Sequence, residues 1–289
     1  MSIGVWDGLA VLVKAVLYAA ALGAAGGVFF LTYNRAGLEA ADRHAIRRLV
    51  AILFLVSMIG SAARVFATAG SMSGDASGIL DLELLRMVWH GGEGLAVTIR
   101  AAGLSLAMLG VLRIPGVIAL LGAAAAATSF AWVGHSHGKA AAWPTLLVGV
   151  HLMAAAFWLG ALGPLLLLAR HQEPRRLGSA AARFGAAAVA AVGALVVAGL
   201  TLLWILLGGA AQLWNSAYGR IACVKLALVA GLLACAAFNK LRFTPRLLRG
   251  DLGAVRHLRQ SIRFEMALAA LILIATAALT TVTGPPSLE

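Results

Sequence analysis

Long apolar stretches divided by short polar ones set the pattern of the chain. The apolar runs occupy residues 9–31, 49–69, 94–112, 114–133, 145–169, 184–207, 219–238 and 266–283. Roughly 20 apolar residues in a helix cross the hydrocarbon core of a bilayer, where only helices and closed barrels satisfy their own backbone. The runs are continuous and lack the period-two alternation of barrel strands. The pattern therefore predicts an all-α protein: eight transmembrane helices in one bundle, with residues 1–289 forming a single membrane domain. Arg113-Ile114-Pro115-Gly116 reads as a tight turn between the third and fourth helices, because Pro115 and Gly116 both punctuate helices. Gly163-Pro164 is expected to interrupt the fifth helix and Gly208-Gly209 to end the sixth.

Composition narrows the class. The 289 residues are 62% apolar and only 12% charged, with a mean hydropathy of +0.94. A soluble chain carries about 25% charged residues. A soluble enzyme, a disordered chain and a collagen-like one are all excluded. The stretch before the first run holds Asp7 and no basic residue, and the run is longer than a signal core, so it is expected to stay as the first span. Cys223 and Cys235 lie twelve residues apart in one run, on different turns of one helix, and read as small buried residues.

The net charge of +12 would suggest nucleic acid in a soluble protein, but here it specifies topology. Sixteen of the 23 lysines and arginines fall in the 34–48, 170–183 and 239–265 gaps and at Arg113. By the positive-inside rule that side is cytoplasmic. Asp7, Asp75, Asp81, Glu83 and Glu93 lie on the other side with most of the tryptophans, and both termini are expected to be periplasmic.

Topology also sorts the seven histidines. His44, His171 and His257 fall among arginines in the cytoplasmic gaps and read as solvated. His90 ends the acidic loop, His135 and His137 stand in Gly134-His135-Ser136-His137-Gly138, and His151 lies within the fifth run. Imidazole is a ligand for copper, zinc or nickel. In an extended segment residues i and i+2 project to one side, so His135 and His137 can converge on an ion, with His151 next and His90 as a fourth candidate. The bland alternative is a polar loop and a helix-packing histidine at 151. An ionisable residue inside a span is nonetheless a functional candidate by default. Met72, Met87 and Met153 read as packing, since Met153 and His151 point about 200° apart on a helix. Gly134-x-Ser136-x-Gly138 lacks the strand that a hydrolase nucleophile turn requires, and His90-x-x-Glu93 lacks the second histidine of a zincin.

Lys14, Arg64, Arg100 and Lys225 also fall within spans. They either snorkel to the headgroups or face the bundle, where they need Glu93, Asp75 or Asp81 as partners or serve an anionic group.

The second half of the chain resembles the copper resistance protein D family. The residues that carry the likeness are His151-Leu-Met-Ala-Ala-Ala-Phe157-Trp158-Leu-Gly160-Ala-Leu-Gly163-Pro164, Tyr218-Gly219-Arg220 with Lys225, Asn239-Lys240 before Pro245, and Arg259-Gln-Ser261-Ile-Arg263-x-Glu265. They cover about 145–285; Thr98 with Arg100 is similar to the family's third-span pattern, and the first ninety residues match by hydropathy alone. The resemblance implies an eight-span bacterial inner-membrane protein usually regarded as moving copper from periplasm to cytoplasm, sometimes alongside a periplasmic copper-binding partner. The resemblance supplies no ligand set; the histidine pattern read from the residues has copper captured by His135, His137 and His90 and passed to His151, the one of the four inside the similar segment, while Glu93, Arg100, Tyr218, Arg220 and Lys225 shape the mouth or dock the partner. Neither an enzymatic role nor nucleic-acid binding is expected. Two alternatives stand beside it: a copper-binding accessory, sensor or assembly protein that does not transport, and a membrane cytochrome, which needs two in-span histidines facing each other.

Overall fold

The computed structural model describes residues 5–112, 116–133 and 143–283, and among them it is helical almost throughout, with no strand. The long elements are α1 (Val5–Tyr33) and α2 (Ala40–Ser73), then the short α3 (Leu82–His90) and α4 (Gly92–Leu112). These are followed by α5 (Gly116–Thr128), α6 (Trp143–His171) and α7 (Pro174–Leu207). The chain ends with α8 (Gln212–Asn215), α9 (Ala217–Phe238), α10 (Thr244–Leu248) and α11 (Leu252–Leu279). A π-helical turn at Asn239–Phe243 joins α9 to α10 without a break in the helical path.

Seven of these units are long and apolar enough to cross a bilayer. The fourth run of the sequence becomes α5 and a 3-10 turn, Gly116–Trp132, a shorter apolar unit. The turn expected at Arg113-Ile114-Pro115 lies outside the described residues.

Three helices begin well before their apolar runs. α2 starts nine residues early, at Ala40, behind a capping box between Glu39 and Asp42. α7 starts at Pro174, with proline in the first turn, where its missing N–H costs nothing. α11 starts at Leu252, where Asp251 accepts the N–H groups of Gly253 and Ala254. The arginine-rich gaps are thus largely helix that has left the apolar layer. Hydropathy marks where a helix needs lipid, whereas caps mark where it begins.

Proline does not interrupt α6. Pro164 is buried within a helix that runs unbroken from Trp143 to His171. The carbonyl of Gly160 lacks its usual donor there, but this turn is held by packing: a Cβ on Gly26 of α1 would lie 2.6 Å from the Cα of Gly160. The two backbones touch, as small residues allow in membrane bundles. Gly208 ends α7 as expected, in the left-handed conformation at φ 67°.

The core is built around α1, which packs on α2, α5, α6 and α11. Its buried face includes Leu17, Tyr18, Ala21, Val28 and Phe30. α4 and α5 form a second close pair, where a Cβ on Gly103 would lie 2.7 Å from the Gly122 carbonyl. By contrast α7 and α9 expose most of their apolar surface, with Trp204 66% exposed.

Candidate functional site

His151 lies on the third turn of α6, against α7. Its Nδ1 is 3.2 Å from the carbonyl oxygen of Leu195. Room for the ring comes from Gly199, whose absent Cβ would meet His151 Cε1 at 3.0 Å. A carbonyl only accepts, so this contact is a hydrogen bond when Nδ1 carries the proton, and the Nε2 lone pair is then the one left to bind a metal. The ammonium of Lys225 on α9 is close enough to act electrostatically on the ring. The side chain sits between helices, half-buried.

The remaining expected ligands are placed as follows. His90 is the exposed last residue of α3, which packs on α2 and α4. His135 and His137 lie outside the described residues. Among the described residues no three of His, Cys, Asp or Glu gather as a metal-holding group. Tyr218 is buried at the start of α9 with Leu207 and Leu279. Arg220 is exposed and reaches back toward the Trp214 carbonyl, 3.4 Å away.

Three of the four charged residues within spans come together, while Lys225 stands apart beside His151. Lys14, Arg64 and Arg100 are 5%, 8% and 0% exposed, so all three face the bundle rather than the headgroups. Arg64 Nε donates to Glu93 Oε1 at 3.1 Å, linking α2 to the first turn of α4. Arg100 donates through Nε to Ser129 Oγ at 3.1 Å and through Nη1 to Ser61 Oγ at 2.8 Å. Its guanidinium carbon stands 4.1 Å over the Phe130 ring, a cation–π contact that is strong when desolvated, while Nη2 has no hydrogen-bond partner among the described residues. Lys14 Nζ donates to the Thr280 carbonyl at 2.9 Å, tying α1 to the end of α11. Glu93 acts on both Lys14 and Arg100 as well. Four helices are thus pinned by one buried polar cluster in which cations outnumber the carboxylate.

Sequence reasoning missed the neutral half of this cluster. Ser61 is one turn before Arg64, a spacing that could have flagged it, but Ser129 and Thr280 are brought in by other helices and carry no local signal. It also left Glu265 outside the last span. That carboxylate is 2% exposed on α11 and accepts from Asn239 Nδ2 at the π-helical turn. π-bulges of this kind recur at functional sites.

A protein that is helical throughout its described residues, with several apolar crossings and a cluster of basic side chains and a carboxylate buried between them, is a polytopic membrane protein. The family model described as Copper resistance protein D-like, N-terminal domain, matches residues 5–145, and that described as Copper resistance protein D matches residues 178–279. The chain belongs to the copper resistance protein D family, a family of copper-resistance membrane proteins. The likeness extends to the first ninety residues, where hydropathy alone had suggested it. Neither the curated proteins nor the solved structures contain a significant match to the chain.

Proposed function

We propose that the protein moves copper across the bacterial inner membrane, from periplasm to cytoplasm, and is a transporter rather than an enzyme. The reading takes Gly116–Trp132 as an eighth crossing and places both termini in the periplasm. Copper is captured by His135, His137 and His90 and handed to His151, with a periplasmic copper-binding protein as donor. Tyr218, Arg220 and Lys225 shape the route or dock that donor. One observation carries it: His151, in the stretch between the two family matches, sits between α6 and α7, oriented by the Leu195 carbonyl, as a metal-ligating imidazole is oriented by a partner on its other nitrogen. A membrane potential of about 100 mV, negative inside, favours inward movement of one charge by about 2.3 kcal/mol.

The experiment is copper content by mass spectrometry, with uptake into proteoliposomes, on wild type and the His151→Ala, His135→Ala and His137→Ala variants. His151→Ala should lose at least tenfold in copper affinity while eluting as a folded protein. Unchanged affinity would remove His151 from the site.

One observation favours a second reading, a copper-binding accessory or sensor that does not transport. Lys14, Arg64 and Arg100 place an excess of positive charge inside the bundle, and such a layer raises the barrier to a cation. Copper bound by the purified protein but never accumulated in vesicles would support that reading over transport.

A further inference from the structure

On the arginine-rich side of the protein a pocket of about 430 Å³ opens between the α1–α2 turn and the start of α7. Residues 36–39 form one wall; Arg175, Arg176, Ser179 and Arg183 form the other. Arg176 pairs with Glu39. Neither Arg175 nor Arg183 has a carboxylate partner among the described residues, so the pocket holds three guanidinium groups against a single carboxylate.

Its geometry is fixed rather than loose. Arg183 Nε donates to Asn34 Oδ1 at 3.4 Å, and Asn34 is itself buried, with Nδ2 donating to the Phe30 carbonyl at 3.3 Å. The guanidinium lies against Gly37, where a Cβ would stand 2.8 Å from Arg183 Cζ. The neighbouring Phe184 is buried and stacks on Phe157, with centroids 5.4 Å apart, which anchors this turn of α7. The first turn of α7 contains Arg175 and Arg176 and no acidic residue, although the positive end of a helix favours anions and repels cations. Three guanidiniums and a helix start share one pocket; Glu173 holds the N-cap position without lining the pocket, and an anion seated there would pair with the two guanidiniums that have no carboxylate.

The surroundings say which anion. The pocket lies just past the apolar run of α1 and just ahead of those of α2 and α7, where polar chain meets apolar helix. One turn back along α1, Phe29, Thr32 and Tyr33 line an apolar groove of about 460 Å³ with Leu120, Met153 and Phe157, of a size for an acyl chain. No aromatic side chain or carboxylate other than Glu39 lines the polar pocket to recognise a base or a sugar. Basic pockets between helices on the cytoplasmic side hold anionic headgroups in this manner. We infer that the Arg175–Arg176–Arg183 pocket binds the phosphate of an anionic lipid of the adjoining leaflet. This requires only that the helices cross a bilayer and is independent of copper.

The test uses the full-length protein purified in detergent and offered phosphatidylglycerol, phosphatidylcholine or inorganic phosphate, with retention read by native mass spectrometry and stabilisation by thermal unfolding. Wild type should retain one phosphatidylglycerol and unfold at higher temperature with it than with phosphatidylcholine. Arg183→Gln should weaken retention by about tenfold, the loss of one charge-assisted bidentate contact. Gly37→Ala should weaken it too without changing any charge, because the added methyl displaces only the end of the Arg183 side chain. Arg256→Gln, which removes an exposed charge outside the pocket, should leave retention unchanged. Equal retention of the two lipids, or equal losses in Arg183→Gln and Arg256→Gln, would reduce the pocket to general surface charge and overturn the inference. Stabilisation by inorganic phosphate as large as that by phosphatidylglycerol would overturn its assignment to a lipid.

Discussion

Arg64 and Glu93 form an ion pair with side chains 9% and 12% exposed. Breaking such a pair leaves a charge in a medium that cannot solvate it, whereas replacing both partners with apolar groups removes the demand. Glu93→Gln should therefore lower stability by about 3 kcal/mol, and Arg64→Leu/Glu93→Leu should recover most of that loss, as read from unfolding of the purified protein in a single detergent. If the double variant is no more stable than the single one, the pair is held for its geometry rather than for its neutralised charge. At this scale the sequence was informative about which residues matter and silent about where they point. Lys14, Arg64 and Arg100 were conspicuous as charges in apolar runs, but whether they snorkel or turn inward depends on Ser61, Ser129 and Thr280, two of them supplied by distant helices.

Helices of this protein meet at points where side chains are missing. The α1–α6 crossing at Gly26 and Gly160 and the α4–α5 crossing at Gly103 and Gly122 bring backbones into contact. Apolar surface gains little from helix association in lipid, so close packing supplies much of the cohesion. Gly160→Leu should force α1 and α6 apart and cost at least 1–3 kcal/mol, measured as an earlier thermal unfolding transition. Gly193→Leu, on an open face of α7 with nothing within 4 Å, should leave it unchanged. The existence of the long helices was legible from hydropathy because each needs a run of apolar residues. Their starts were not: Ala40, Pro174 and Leu252 lie outside the apolar runs and are set by Glu39, by Pro174 and by Asp251.

The whole molecule separates two faces by charge. Arg175, Arg176, Arg183, Arg246, Arg249 and Arg256 lie at the ends of α7, α10 and α11, while Asp75, Asp81 and Glu83 lie between α2 and α4. With Cys223 and Cys235 replaced by alanine, Ser77→Cys should react with a membrane-impermeant maleimide in intact cells, and Arg249→Cys only after permeabilisation. Labelling of both from one side would refute the orientation. The segment between α2 and α4 is itself folded: Asp81 caps α3, and Val88 packs with Val65 and Ala69 while Leu82, Met87 and Trp89 remain exposed, which suits a helix lying at a membrane interface.

By itself the amino-acid order determined that this chain lives in a bilayer as helices, which face carries the arginines, and to which family it belongs. These are consequences of solvent and local periodicity, and both are written in consecutive residues. The tertiary structure alone decided that α6 passes through Pro164 unbroken, that three buried cations share a cluster with one carboxylate, and that the Arg183 guanidinium fills the space beside Gly37. Each of those depends on backbones from separate helices arriving at the same place, and a linear pattern holds no record of that meeting.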